Sequence, residues 1–65
     1  MCAQEAVRLV GGDNELAEAI LEGKIALHQM PKELREFDKR KERVEWARGK
    51  LEDFQRDMLR NISGN

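Results

Sequence analysis

Apolar residues recur at helical spacing in the first third of the chain. They fall every three or four positions over residues 3–10 and again over residues 16–21, which is the period of an amphipathic helix. Gly11 and Gly23 follow these two segments, and glycine often ends a helix. Asp13 precedes the second segment and is a preferred N-cap residue. The pattern predicts two short helices, followed by a connector that is either a short helix or irregular, over residues 24–30.

A third, much longer segment begins at Pro31, which suits the first turn of a helix. From Lys32 to Arg60 there is one glycine and no further proline, and no segment of the chain alternates with the period of a strand. The sequence therefore predicts one long helix over residues 31–62. Because a helix rises about 1.5 Å per residue, it would be longer than a globule of this size needs.

The long segment carries a narrow apolar stripe. Apolar side chains recur at Phe37, Val44, Leu51 and Met58, a spacing of seven, which is typical of a coiled-coil seam. We expect the short helices to cover the first half of the stripe. We expect a second copy, as a two-fold dimer, or a helix of another protein to cover the part after residue 50. The predicted interface consists of the stripe together with Trp46 as a candidate anchor: Phe37, Val44, Trp46, Ala47, Leu51, Phe54, Met58 and Ile62.

These elements predict an all-α fold in a single small domain over residues 1–65, as a helical bundle completed by dimerisation. Residues 1–30 supply the short helices and the connector, and residues 31–62 supply the long helix. A chain of 65 residues buries only about 60% of the surface that its unfolded form exposes. Its own core is therefore marginal, which favours completion by another chain.

The composition argues against catalysis. The chain has one cysteine, one histidine, one serine (Ser63), and neither tyrosine nor threonine. Cys2 has no adjacent basic group and His28 has no carboxylate three or four residues away, so neither is expected to be activated. One cysteine and one histidine cannot form a zinc site. We expect a protein that is not an enzyme and has no cofactor or metal.

The charge is distributed unevenly although the net charge is only −1. Residues 1–31 contain two basic and five acidic side chains, whereas residues 32–65 contain ten basic and eight acidic ones. The basic side chains that are candidates for contact with nucleic acid are Lys24, Lys39, Arg40, Lys41 and Arg43. A nucleic-acid-binding domain is usually strongly basic as a whole, so a solvated helix face is the favoured interpretation.

No targeting or membrane segment is predicted. The first residues lack the basic n-region and the apolar h-region of a signal peptide, and 38% of the residues are charged, which excludes a membrane span. We therefore expect a cytoplasmic protein.

Residues 16–60 resemble a known helical segment. The run from Gly23 to Leu34, with Ile25, Leu27 and His28 inside it, is similar to the small helical N-terminal segment of archaeal-type hydroxymethylglutaryl-CoA reductases. In that family a helix that ends in glycine leads through a similar turn to an arginine-rich helix. The resemblance implies a role in scaffolding or subunit contact, because that family's catalytic residues lie beyond this segment.

A second resemblance covers residues 6–30. The run from Ala6 to Gly12, followed by Glu15, Leu16 and Ala17, is similar to the start of phage Cro-like helix-turn-helix repressors. The resemblance implies a recognition helix over residues 24–30 and binding to DNA. Only one cation lies in that segment, and DNA binding requires several to neutralise phosphates.

Two functions therefore remain open. The favoured hypothesis is a non-catalytic helical protein–protein interaction module, acting in self-association, as an adaptor or as a small protein inhibitor through the stripe of the long helix. The alternative is a small helix-turn-helix regulator of transcription.

Overall fold

The computed structural model describes the backbone of residues 1–63 and the side chains of residues 1–60. Over this range the chain is all-α: α1 spans Ala3–Leu9, α2 spans Asn14–Leu21 and α3 spans Arg40–Ser63. Three 3-10 turns, Leu27–Gln29, Lys32–Arg35 and Phe37–Lys39, connect α2 to α3. The predicted fold class, with two short helices and one long helix, is confirmed.

Glycines end both short helices as the sequence predicts. Gly11 has a φ of 65° and Gly23 has a φ of 82°, in the left-handed region that glycine enters without a Cβ penalty. The N–H of Gly12 reaches back to the carbonyl of Val7 at 2.9 Å, which is the bond that defines a Schellman motif. The same arrangement follows α2. These sharp stops turn α2 back against α1.

The core lies between the short helices and the first half of α3. Its members are almost all aliphatic, and Val7, Leu27, Val44 and Trp46 pack around them while remaining partly exposed. Within α3, the last described side chain that is buried is Leu51. The longest dimension of the chain is 43 Å, because α3 continues past the short helices. The buried apolar side chains are Ala6, Val10, Leu16, Ala17, Ala19, Ile20, Ile25, Met30, Ala47 and Leu51.

The long helix begins nine residues later than the sequence predicts. It was expected to start at Pro31, yet residues 32–39 form two 3-10 turns and α3 starts only at Arg40. Glu36 separates the two turns in an extended conformation, with φ −69° and ψ 151°. The prediction of a continuous helix over residues 31–62 was therefore wrong at its N-terminal end.

A buried arginine accounts for this late start. The Arg43 guanidinium donates from Nη1 to the carbonyls of Leu34 and Glu36, at 2.8 and 3.1 Å. In a continuous helix these two carbonyls would accept from backbone N–H groups four residues further on. Arg43 also donates from Nε to the carbonyl of Leu9 at 2.6 Å. One side chain thus joins the end of α1, the segment before α3 and α3 itself.

A second polar contact joins α2 to α3. Asp13 is the N-cap of α2, and its Oδ1 accepts from the N–H of Leu16 at 3.2 Å. Its other oxygen, Oδ2, accepts from Nη2 of Arg48 at 2.8 Å. The carboxylate therefore satisfies one free N–H at the start of α2 and fixes that end against α3. The predicted capping role of Asp13 is confirmed.

Replacement of Arg43 should destabilise the whole chain. Arg43→Met keeps an aliphatic stem but removes the donor to the carbonyls of Leu9 and Leu34, while that of Glu36 still accepts from the N–H of Lys39. An unpaired buried polar group costs about 1–3 kcal/mol. We expect the free energy of unfolding, measured by urea titration of the helical circular dichroism, to fall by at least about 2 kcal/mol. The matched control is Lys41→Met on the exposed side of the same helix, which should stay within about 0.5 kcal/mol. Equal stability of the two variants would contradict the role given to Arg43.

Variants of Asp13 should separate the cap from the ion pair. Asp13→Asn keeps a capping oxygen and loses the charge, whereas Asp13→Ala loses both. We expect Asp13→Ala to cost about 1 kcal/mol or slightly more, and Asp13→Asn to cost less than about 1 kcal/mol, the usual range for an exposed pair. Arg48→Ala should match Asp13→Asn and should add little to it. The measurement is thermal or urea unfolding, and equal losses for the two Asp13 variants would show that the cap contributes nothing.

Candidate interaction surfaces

The predicted interface residues do not form one continuous surface. Ala47 is fully buried and Leu51 is 5% exposed in the core of the single chain. Val44 is half-buried against the same core. The short helices therefore cover the stripe one turn further than the sequence suggested. Ala47 and Leu51 are thus covered by the chain's own short helices, which leaves almost none of their surface for an intermolecular seam.

Trp46 packs within the fold instead of standing free. It is half-buried against the core cluster, and Nζ of Lys50 lies 5.8 Å from the centre of its ring. The distance suits a cation–π contact within one helix. Because its ring is already engaged by the chain itself, Trp46 is a poor candidate for an anchor.

The stripe becomes accessible only in the second half of α3. Phe54 is half-buried and Met58 is 48% exposed. Together with Gln55, Leu59 and Lys24 they line a shallow apolar depression. Nζ of Lys24 lies 6.0 Å from the centre of the Phe54 ring. We call the side chains of Phe54 and Met58 the distal face. Ile62, the last predicted member of the stripe, lies outside the described side chains.

Phe37 belongs to a different surface. It lies in the 3-10 turn before α3 and its side chain is 95% exposed. Phe37, Leu9 and Met1 form the apolar part of a groove with a volume of about 530 Å³. The rest of the lining is one carboxylate, Glu5, and four arginines: Arg8, Arg35, Arg40 and Arg43. We call this depression the arginine groove.

Sequence reasoning missed the arginine groove. It placed Phe37 on the long helix as part of the seam, and it gave no role to Arg8 or Arg35. The groove depends on the break in the helix at residue 36, which in turn depends on a contact between distant parts of the chain. No local pattern in the sequence signals that contact.

The predicted basic contacts are scattered. Arg43 is 6% exposed and donates to three carbonyls of its own chain, which leaves little of it for nucleic acid; its role as a nucleic-acid contact stays a prediction. Lys24 pairs with Glu22 at 3.1 Å and lines the depression beside Phe54, not the arginine groove. Arg40 and Lys41 are exposed and Lys39 is half-buried. These side chains do not form a continuous basic stripe.

The segment expected to act as a recognition helix is not α-helical. Residues 24–30 contain only the 3-10 turn Leu27–Gln29, and Ile25 and Met30 are buried. A helix-turn-helix motif reads DNA with an α-helix in the major groove. This part of the chain does not supply that element.

The side chains that could take part in catalysis or metal binding are few in the described part of the chain. Cys2 and His28 are both exposed. No group of three His, Cys, Asp or Glu side chains among the described residues could hold a metal ion.

None of the described helices combines the length and the hydropathy that crossing a membrane requires.

Comparisons with protein-family models, with curated proteins and with solved structures find no match to this chain. The resemblances to hydroxymethylglutaryl-CoA reductases and to Cro-like repressors therefore stay predictions.

Proposed function

We propose that the chain is a non-catalytic helical interaction module that self-associates through the distal face of α3. The observation that carries this proposal is the continuity of the stripe. Ala47 and Leu51 pack into the core, and Phe54 and Met58 follow on the same side of the helix at spacings of three and four. The face that joins α3 to its own short helices therefore continues past them, to a Phe54 that is half-buried and a Met58 that is 48% exposed.

A second copy is the occupant that the surface suits best. In a two-fold pair the same patch is buried on both copies, so the buried apolar area is twice that of one patch. The polar residues around it are of both signs: residues 52–60 contain Glu52, Asp53, Arg56, Asp57 and Arg60. A segment with this near balance does not repel its own copy strongly, whereas a strongly charged one would.

The association should be weak. Phe54 is already half-buried within the chain, and only a few apolar side chains remain to be covered. Interfaces that bury less than about 1,200 Å² are typically weak or transient. We therefore expect reversible dimers that appear as the concentration rises, rather than an obligate dimer. Such behaviour is compatible with a core that already closes over Leu51 within one chain.

The nucleic-acid alternative receives less support. Arg43 is occupied by carbonyls and Lys24 by Glu22, which leaves fewer accessible cations than the sequence offered. Affinity for a duplex rises with the number of phosphates that are neutralised. The cations that remain are gathered at the arginine groove, which Glu5 also lines, and they do not form a longer basic track along the described surface.

Replacement of Met58 should reduce self-association without unfolding the chain. Met58→Glu introduces a charge at an exposed position of the distal face, and burial of an unpaired charge opposes pairing. In sedimentation velocity, we expect the parent chain to shift from 7.5 kDa toward twice that mass as its concentration rises. The Met58→Glu variant should stay at the single-chain mass.

The matched control is Phe37→Ala, which removes the most exposed apolar side chain outside the distal face. It should associate like the parent chain. Helical circular dichroism should be unchanged in both variants. A parent chain that stays at 7.5 kDa up to millimolar concentration would contradict the proposal, and so would equal association of the parent and Met58→Glu.

A further inference from the structure

The arginine groove is built around an unusual group. Arg43 is 6% exposed, and arginine is almost never buried without a charged partner. Among the described residues, the ion pairs are Lys24–Glu22, Arg48–Asp13 and Arg56–Asp53. None of them includes Arg43. The positive charge at the floor of the groove is therefore held by neutral carbonyls alone.

One edge of this guanidinium remains available. Arg43 donates from Nε and Nη1, and no described residue accepts from Nη2. Among the described residues, every side-chain nitrogen or oxygen that is fully sequestered from solvent has a hydrogen-bond partner. Because Nη2 has none, it must be in contact with solvent. Arg43 is also one of the lining residues of the groove, so its positive charge lies beside the space that a ligand would enter.

The walls of the groove add charge and apolar area. Arg8 and Arg40 are exposed beside it, and neither has a carboxylate partner in the described part of the chain. Arg35 donates from Nη2 to the carbonyl of Leu27 at 3.1 Å, which holds its side chain in place at the rim. Phe37 is 95% exposed, and burial of its ring against an apolar side chain of a ligand would be favourable.

We propose that the arginine groove binds an acidic peptide segment of a partner protein, with a carboxylate on the arginines and a neighbouring apolar side chain on Phe37 and Leu9. Guanidinium groups bind carboxylates through short, charge-assisted hydrogen bonds. Aromatic side chains and arginines are the residue types that most often dominate binding at protein interfaces. The proposal concerns a surface separate from the distal face and does not depend on self-association.

A carboxylate fits this site better than a nucleic-acid strand. Glu5 lines the groove beside the arginines, and Glu36 and Asp38 flank Phe37 in the sequence. These carboxylates would repel a continuous row of phosphates, whereas one or two carboxylates could avoid them. Binding to single-stranded nucleic acid also requires a positive groove that follows several successive phosphates.

The test uses the full chain labelled with ¹⁵N and three short peptides. The first, Ser-Glu-Leu-Asp-Phe-Ser, combines acids with apolar side chains. The second, Ser-Gln-Leu-Asn-Phe-Ser, replaces the acids by amides, and the third, Ser-Glu-Ser-Asp-Ser-Ser, lacks the apolar side chains. NMR titration should show saturable shifts at residues around the groove, including the Arg43 Nε–H, with the first peptide only. The affinity for each of the other two should be lower by about tenfold or more.

Two variants keep the test independent of folding. Because replacement of Arg43 should destabilise the chain, the informative changes are Phe37→Ala and Arg40→Gln, which lie on the exposed wall. Each should weaken binding of the first peptide by roughly fivefold or more. Lys41→Gln, an exposed cation outside this groove, should leave binding unchanged, as should Met58→Glu on the distal face.

Several outcomes would overturn the proposal. Equal shifts with the acid and amide peptides would remove the role of the arginines. Undiminished binding by Phe37→Ala would remove the role of the ring. Saturable binding of a single-stranded oligonucleotide to the same residues, with none of the peptides bound, would reassign the groove to nucleic acid. Loss of peptide binding in Met58→Glu would show that the site depends on self-association.

Discussion

The fold depends on one buried guanidinium that holds three separate backbone segments. Arg43 reaches the last carbonyl of α1 and two carbonyls in the segment before α3. Hydrogen bonds to a charged donor contribute about 1.5–3 kcal/mol each, and a chain of this size has only a few kcal/mol in total. The aliphatic core alone is small, so the position of α1 against α3 relies on this side chain as much as on apolar burial.

The same contact determines the surface of the molecule. Arg43 donates to the carbonyls of Leu34 and Glu36, and these bonds stabilise the turns of residues 32–39 in place of a continuous helix. The turn places Phe37 outside the stripe, where its ring is almost completely exposed. A structural arginine and an exposed aromatic ring thus come together at one groove as consequences of a single set of hydrogen bonds.

The sequence predicted the parts of the fold that local chemistry controls. Gly11 and Gly23 stop the short helices, Asp13 caps α2, and the apolar spacing identifies α3 from residue 40 onward. It failed for residues 32–39, whose composition suits a helix, because tertiary hydrogen bonds override a weak local preference. The sequence favours a solvated cation at position 43. The adjacent residues give no sign that carbonyls 7, 9 and 34 positions away will accept from this side chain.

The candidate surfaces show the same limit. The stripe was predicted as one seam, yet the short helices reach Leu51 and divide it into a buried half and the distal face. How far one element covers another depends on packing angles that a heptad pattern does not contain. The sequence therefore identified the side chains that can be buried, but it could not tell which of them the chain buries by itself.

The two proposed surfaces lie toward opposite ends of α3, and this separation has a consequence. From Arg40 to Met58 the helix rises about 27 Å, at 1.5 Å per residue, so occupation of one surface does not block the other. In the proposed pair, each copy would keep its own arginine groove. A partner with two acidic segments could then engage both grooves, and its second contact would form at a raised effective concentration. Weak self-association and weak peptide binding would together give stronger attachment than either surface provides alone.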